Sequence, residues 1–84
     1  MSKEMNDRVL DDVREFRKSL GENQTEFWAR LGLTQPGGSR YENGQNIPAP
    51  TALLLCLLAS GKIAKEDIEL LLSDIKDHPN VSIS

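Results

Sequence analysis

Between positions 24 and 43 the chain gathers hydrogen-bonding side chains of three kinds: the amides of Gln24, Gln35 and Asn43, the hydroxyls of Thr34 and Ser39, and the guanidinium of Arg40. None of these is a nucleophile with a base beside it. No pair of carboxylates is spaced for acid–base work, no Cys/His cluster could hold a metal, and no glycine loop could cradle a phosphate. His78 stands alone beside Pro79 and is given no role. Cys56 sits inside an apolar run, where burial without a cationic neighbour raises a thiol pKa, so it is read as a buried, reduced thiol. The chemistry within reach is recognition through hydrogen bonds, and the reading is of a protein with no enzymatic activity, no metal and no cofactor.

Those polar groups need elements to hold them. Asn23 can cap a helix, and Glu26 three residues later can answer it as a capping box. Phe27, Trp28 and Leu31 form an apolar stripe at helical spacing, and Gly32 can take the positive φ that ends the run. Thr34 is a second N-cap, with Pro36 in the first turn where its missing N–H does no harm, and Gly44 is a second C-terminal stop. Residues 23–44 therefore predict two short helices around a tight turn with polar positions outward, the layout of a DNA-reading helix-turn-helix.

The segment resembles the lambda-repressor/Cro-type, or XRE-like, helix-turn-helix of phage and bacterial regulators. The matching residues are Gln24 at the start of the first helix, Gly32 in the turn, Thr34-Gln35 opening the second, and Ser39-Arg40-Tyr41-Glu42-Asn43-Gly44 closing it. A weaker likeness runs from about Asn6 to Asp77. The resemblance implies a compact all-α bundle of about five helices, with Thr34 to Asn43 as the helix that enters the major groove.

It also implies roles. Gln35, Pro36, Gly37, Ser39 and Arg40 would lie on the exposed side of the recognition helix, where Gln suits adenine and Arg suits guanine. Pro36 and Gly37 carry no polar side chain; they would bring backbone close, or offer Pro36 carbons to a thymine methyl. Gln24 and Asn43 match phosphate-clamping positions, with simple capping as the equal alternative. Arg17 matches a position that pairs with the acid near the end of the recognition helix, here Glu42, a pair worth about 0 to 1 kcal/mol if partly exposed. The remaining acids are read as solvated helix faces, and Tyr41 as a core or rim aromatic. Members of the family usually place a small residue where Trp28 stands and a β-branched one where Gly38 stands. Here the sizes are reversed, so a close-packed crossing can survive although the two adjacent glycines cost the helix on the order of 2 kcal/mol in propensity.

Around this motif, a first helix is expected from about Asp7 to Leu20, capped by Asn6 and stopped by Gly21, with Val9, Val13, Phe16 and Leu20 on its inner face. Pro48 and Pro50 hold an extended connection anchored by Ile47. A fourth helix opens at Pro50-Thr51 and closes near Ser60-Gly61; being apolar nearly all round from Ala52 to Ala59, it is expected to be covered on most sides. The fifth runs from about Ala64 to Asp77 with Ile68, Leu71, Leu72 and Ile75 inward and Leu70 left over. The tail from position 79 to 84 is short, either frayed or a strand added across a dimer, since Val81 and Ile83 alternate.

Eighty-four residues make one domain, and no apolar run is long enough to cross a bilayer, so a cytoplasmic protein is expected. Charge is less cooperative: 10 basic against 13 acidic residues leave a net of −3, with the acidic excess greatest after position 61. Arg14, Arg17, Lys18, Arg30 and Arg40 are the scattered basic footprint of the half that would meet DNA. One copy should bind poorly and two should bind better. The reading is a transcriptional regulator, of repressor or activator type, that contacts double-stranded DNA as a homodimer. The alternative is an antitoxin or adaptor whose C-terminal helices bind a partner protein.

Overall fold

The computed structural model describes residues 8–82, and all regular structure in that span is helical. Five helices follow in order: α1 Val13–Ser19, α2 Gln24–Arg30, α3 Gln35–Glu42, α4 Ala49–Ala59 and α5 Lys65–Ile75. Residues 8–11 are helical as well. The all-α expectation holds, and no described helix is long and apolar enough to cross a membrane.

The first expected helix is interrupted. Asp12 leaves the helical region, at φ −140° and ψ 74°, and its Oδ1 accepts from the Glu15 N–H at 3.1 Å. A short acidic side chain competes with the helix ladder for nearby N–H groups, so Asp12 starts a new helix in place of continuing the old one. The expected cap, Asn6, and the start at Asp7 lie outside the described residues.

The helix-turn-helix forms as its capping residues dictate. Asn23 Oδ1 accepts from the Glu26 N–H at 2.8 Å, while Glu26 answers through the Asn23 side-chain amide, not through the backbone N–H of a capping box. At the turn, Leu33 N–H donates to Trp28 C=O at 2.9 Å and Gly32 N–H to Ala29 C=O at 3.0 Å. That is a Schellman closure, and it requires the φ of +82° that Gly32 adopts. Thr34 Oγ1 then caps α3 through the Gly37 N–H at 3.3 Å.

The core is one cluster: Val9, Val13, Phe27, Trp28 and Leu55, with Phe16, Leu31, Leu33, Tyr41 and Ile47 packed around it. Neighbouring Phe27 and Trp28 are both fully buried. Phe27 meets Phe16 edge-on at 6.1 Å, and Trp28 meets Tyr41 at 5.8 Å, so Tyr41 is a rim aromatic as read.

Two expectations about the C-terminal helices fail, the enclosed Cys56 and the inward Leu71 and Ile75. α4 is covered on most sides from Ala52 to Ala59, with Leu55 buried and Ala52, Leu54, Leu58 and Ala59 half-buried, and leaves one exposed strip at Leu53, 66%, and Leu57, 40%; Cys56 is half-buried instead of enclosed. On α5 Ile68 is buried and Leu72 half-buried, whereas Leu71 and Ile75 face solvent together with Leu70. Helical spacing identifies an apolar stripe, but nothing among the described residues lies over its outer half.

Candidate nucleic-acid interface

Helix α3 has two unlike sides. Gln35, Pro36, Arg40 and Asn43 are exposed, as is the cap Thr34, and Ser39 is half-buried. Gly37 and Gly38 are buried. A Cβ added at Gly37 would meet Thr34 Oγ1 at 3.3 Å and both Leu33 Cδ2 and Arg40 Nη2 at 3.9 Å, so this residue is buried between the turn and the Arg40 side chain and not exposed as expected. Gly38 lies directly against the Trp28 indole, and the reversed pair of sizes is a real packing contact.

Beneath the exposed side sits a carboxylate that sequence reasoning placed only in part. The Glu42 side chain is fully buried, and Arg17 is 9% exposed. Arg17 Nε donates to Glu42 Oε2 at 2.9 Å and Nη2 to Oε1 at 3.0 Å, a bidentate fork, while Nη1 donates to the Glu22 carbonyl at 2.8 Å. Trp28 Nε1 donates to Oε2 at 2.7 Å and Gln24 Nε2 to Oε1 at 3.0 Å; Arg14 Nε approaches Oε1 at 3.4 Å. Burial alone would push this carboxyl up. The hydrogen bonds from Arg17, Gln24 and Trp28, with the charge of Arg17, outweigh it and bring the pKa down to about 2. The same hydrogen bond holds Arg17 above its ordinary range.

The expected Arg17 and Glu42 pair therefore exists, but the energy scale of an exposed pair does not apply to it. Two further readings change with it. Glu22 is no solvated acid, for its side chain is also buried, and Arg30 is not free to meet a ligand: it pairs with Glu22 and donates from Nε to Glu69 on α5 at 2.7 Å. The indole donor is what the sequence reading overlooked, although a buried Trp N–H needs an acceptor and Glu42 was already named.

The polar side chains are linked at the surface too. Gln35 Nε2 donates to Gln24 Oε1 at 2.7 Å, so Gln24 bridges the first residue of α3 to the buried carboxylate. At the other end Arg14 Nη2 donates to Asn43 Oδ1 at 2.9 Å. Arg40 is exposed and forms no ion pair among the described residues.

A family model described as the RsaL-like HTH domain matches residues 14–58, more than half of the chain. No curated protein and no solved structure matches it. The matched span begins one residue into α1 and ends within α4, so it contains both helices of the motif, the Gly32 turn and the Arg17, Trp28 and Glu42 cluster. The chain belongs to the RsaL-like HTH domain family, a helix-turn-helix of the lambda-repressor type.

Proposed function

We propose that the protein is a sequence-specific, DNA-binding transcriptional regulator that works as a homodimer, each copy laying α3 in the major groove of one half of a near-palindromic operator. The observation that carries this reading is the two-sidedness of α3: Gln35, Pro36, Arg40 and Asn43 stand outward while Gly37 and Gly38 are buried. Gln35 reads adenine and Arg40 guanine, each through two hydrogen bonds, and Pro36 offers carbons to a thymine methyl. Ser39 adds a hydroxyl beside Arg40. Thr34 at the start of α3 and Asn43 at its end position the helix on phosphates, while Gln24, the first residue of α2, holds the Gln35 amide. Gly37 contributes backbone alone.

With Arg17 and Arg30 committed to buried acids and Arg14 paired with Glu42 at 3.4 Å, the cations left near the motif are Lys18 and Arg40. So few contacts give one copy little counterion release, and two copies double it. The second copy seats on the exposed apolar residues of α4 and α5, Leu53, Leu57, Leu70, Leu71 and Ile75. An adaptor that binds a partner protein through this same face is the second reading.

The test is a salt series of gel shifts on random duplexes, with selection and sequencing of the retained DNA. A two-fold-related consensus whose binding weakens steeply with salt supports the proposal. Retention of DNA without any consensus, or no retention at low salt, overturns it.

A further inference from the structure

A carboxylate accepts hydrogen bonds and donates none, whereas a glutamine amide does both and can be turned end for end. Glu42 Oε1 faces Gln24, so the Gln24 NH₂ must point inward, at 3.0 Å, and its Oε1 outward. An outward-facing oxygen can be met only by a donor, and Gln35 supplies one, Nε2 at 2.7 Å. Gln35 is left with its second N–H toward the Gln24 side and its Oε1 away from it, a donor and an acceptor in fixed order. The inner end of this relay is rigid. Glu42 is fully buried and is gripped on its other oxygen by Trp28 Nε1 at 2.7 Å and Arg17 Nε at 2.9 Å.

We propose that Glu42 is a positioning residue for base recognition, which through Gln24 sets the order in which Gln35 presents donor and acceptor to the base pair it reads. This rests on the reading of Gln35 as a base contact. A major-groove edge is an ordered row of donors and acceptors, and adenine offers its N7 acceptor beside its N6 donor. Turning the Gln35 amide reverses the match. Without the carboxylate, Gln24 can point either end outward, both orders of Gln35 are populated, and selectivity is lost at that one base pair.

The experiment has two arms. In the free protein, NMR of the glutamine side-chain amides should give a cross-peak between the Gln24 NH₂ and the Trp28 indole N–H, since both donate to Glu42. A Gln24 NH₂ without that cross-peak overturns the relay whether or not DNA is bound. The second arm measures base preference at each operator position for Glu42→Gln, Gln35→Ala and the double variant, each first shown to be folded by circular dichroism. Glu42→Gln should lose about tenfold discrimination at the position Gln35 reads, keep it at the position Arg40 reads, and add nothing in the Gln35→Ala background. A Glu42→Gln protein that retains its preference at the Gln35 position, or loses it equally everywhere, refutes the proposal. If wild type selects no sequence at all, the base-contact reading fails instead, and the NMR arm still decides the relay.

Discussion

The indole of Trp28 fills the space a side chain at Gly38 would need: a Cβ built on that glycine would overlap Cγ, Cδ1 and Cδ2 of the ring. The contact joins the two helices of the motif at their crossing, and its cost is visible in the sequence. Adjacent glycines weaken α3 by on the order of 2 kcal/mol, while a fully buried aromatic contributes a few kcal/mol in return. Gly38→Val should therefore destabilise by about 3 kcal/mol or more through overpacking, and Trp28→Ala by about 3 to 5 kcal/mol through the cavity it leaves. The double variant should be more stable than the sum of the two losses implies. Urea unfolding of all four proteins checks this, and additive losses would mean that the two sites are not coupled.

Glu42 gives a pH signature. Its carboxyl is ordinarily near 4.5 and in the folded chain lies at about 2. A folded-state pKa below the unfolded one means that the unfolded chain takes up the proton more readily, so the stabilisation is complete above about 4.5 and is lost as the pH falls towards 2. The effect should be on the order of 3 kcal/mol. Wild type and Glu42→Gln should differ most in unfolding free energy near neutral pH and converge in acid. A gap that stays constant from pH 6 to pH 2.5 would show that Glu42 titrates normally.

Breaking the buried pair from the other side is a separate measurement. Arg17→Met keeps the aliphatic stem but leaves Glu42 without the guanidinium that donates to both its oxygens. Orphaning one member of a buried pair costs about 3 to 5 kcal/mol, far beyond the 0 to 1 kcal/mol of a surface pair. Chemical denaturation distinguishes the two scales directly.

How much of this was legible in the sequence depends on the range of the interaction. Asn23, Gly32, Thr34 and Gly44 act on backbone groups within a few residues, and the motif they bound is where the sequence placed it. The Trp28 and Gly38 exchange was readable because volume is conserved across a crossing. The break at Asp12 was missed because an aspartate suits a helix's first turn as well as its cap, and only tertiary packing decides between them. The relay from Glu42 through Gln24 to Gln35 spans α2 and α3, and amide orientation has no sequence signal. Leu71 and Ile75 keep helical spacing yet are exposed, since periodicity shows a face and not what covers it.

Arg40→Ala should leave the fold intact, because the side chain is exposed and makes no ion pair among the described residues. On a selected operator it should lose about 1 to 3 kcal/mol of discrimination at one base pair, with Gln35→Ala doing the same at another. A competition assay with single-base operator variants reads both. Uniform weakening on every variant would reassign Arg40 to phosphate.

Self-association is the remaining expectation and it has a definite surface. Leu53 and Leu70 are 66% and 68% exposed, with Leu57, Leu71 and Ile75 beside them in sequence on the same two helices. A single small bundle gains nothing from this much apolar area in water, whereas a second copy would bury it at roughly 25 cal/mol per Å². Leu70→Glu is the informative variant: the site is already in solvent, so the folded monomer should lose less than about 0.5 kcal/mol, while a charge placed in the contact should break it. Sedimentation equilibrium at tens of micromolar should show wild type as a dimer and Leu70→Glu as a monomer. The variant should then bind a full operator with the affinity and shallow salt slope of a half-site, because it neutralises half as many phosphates. A wild type that is monomeric both alone and on its operator would remove the homodimer and leave the α4 and α5 face to a partner protein.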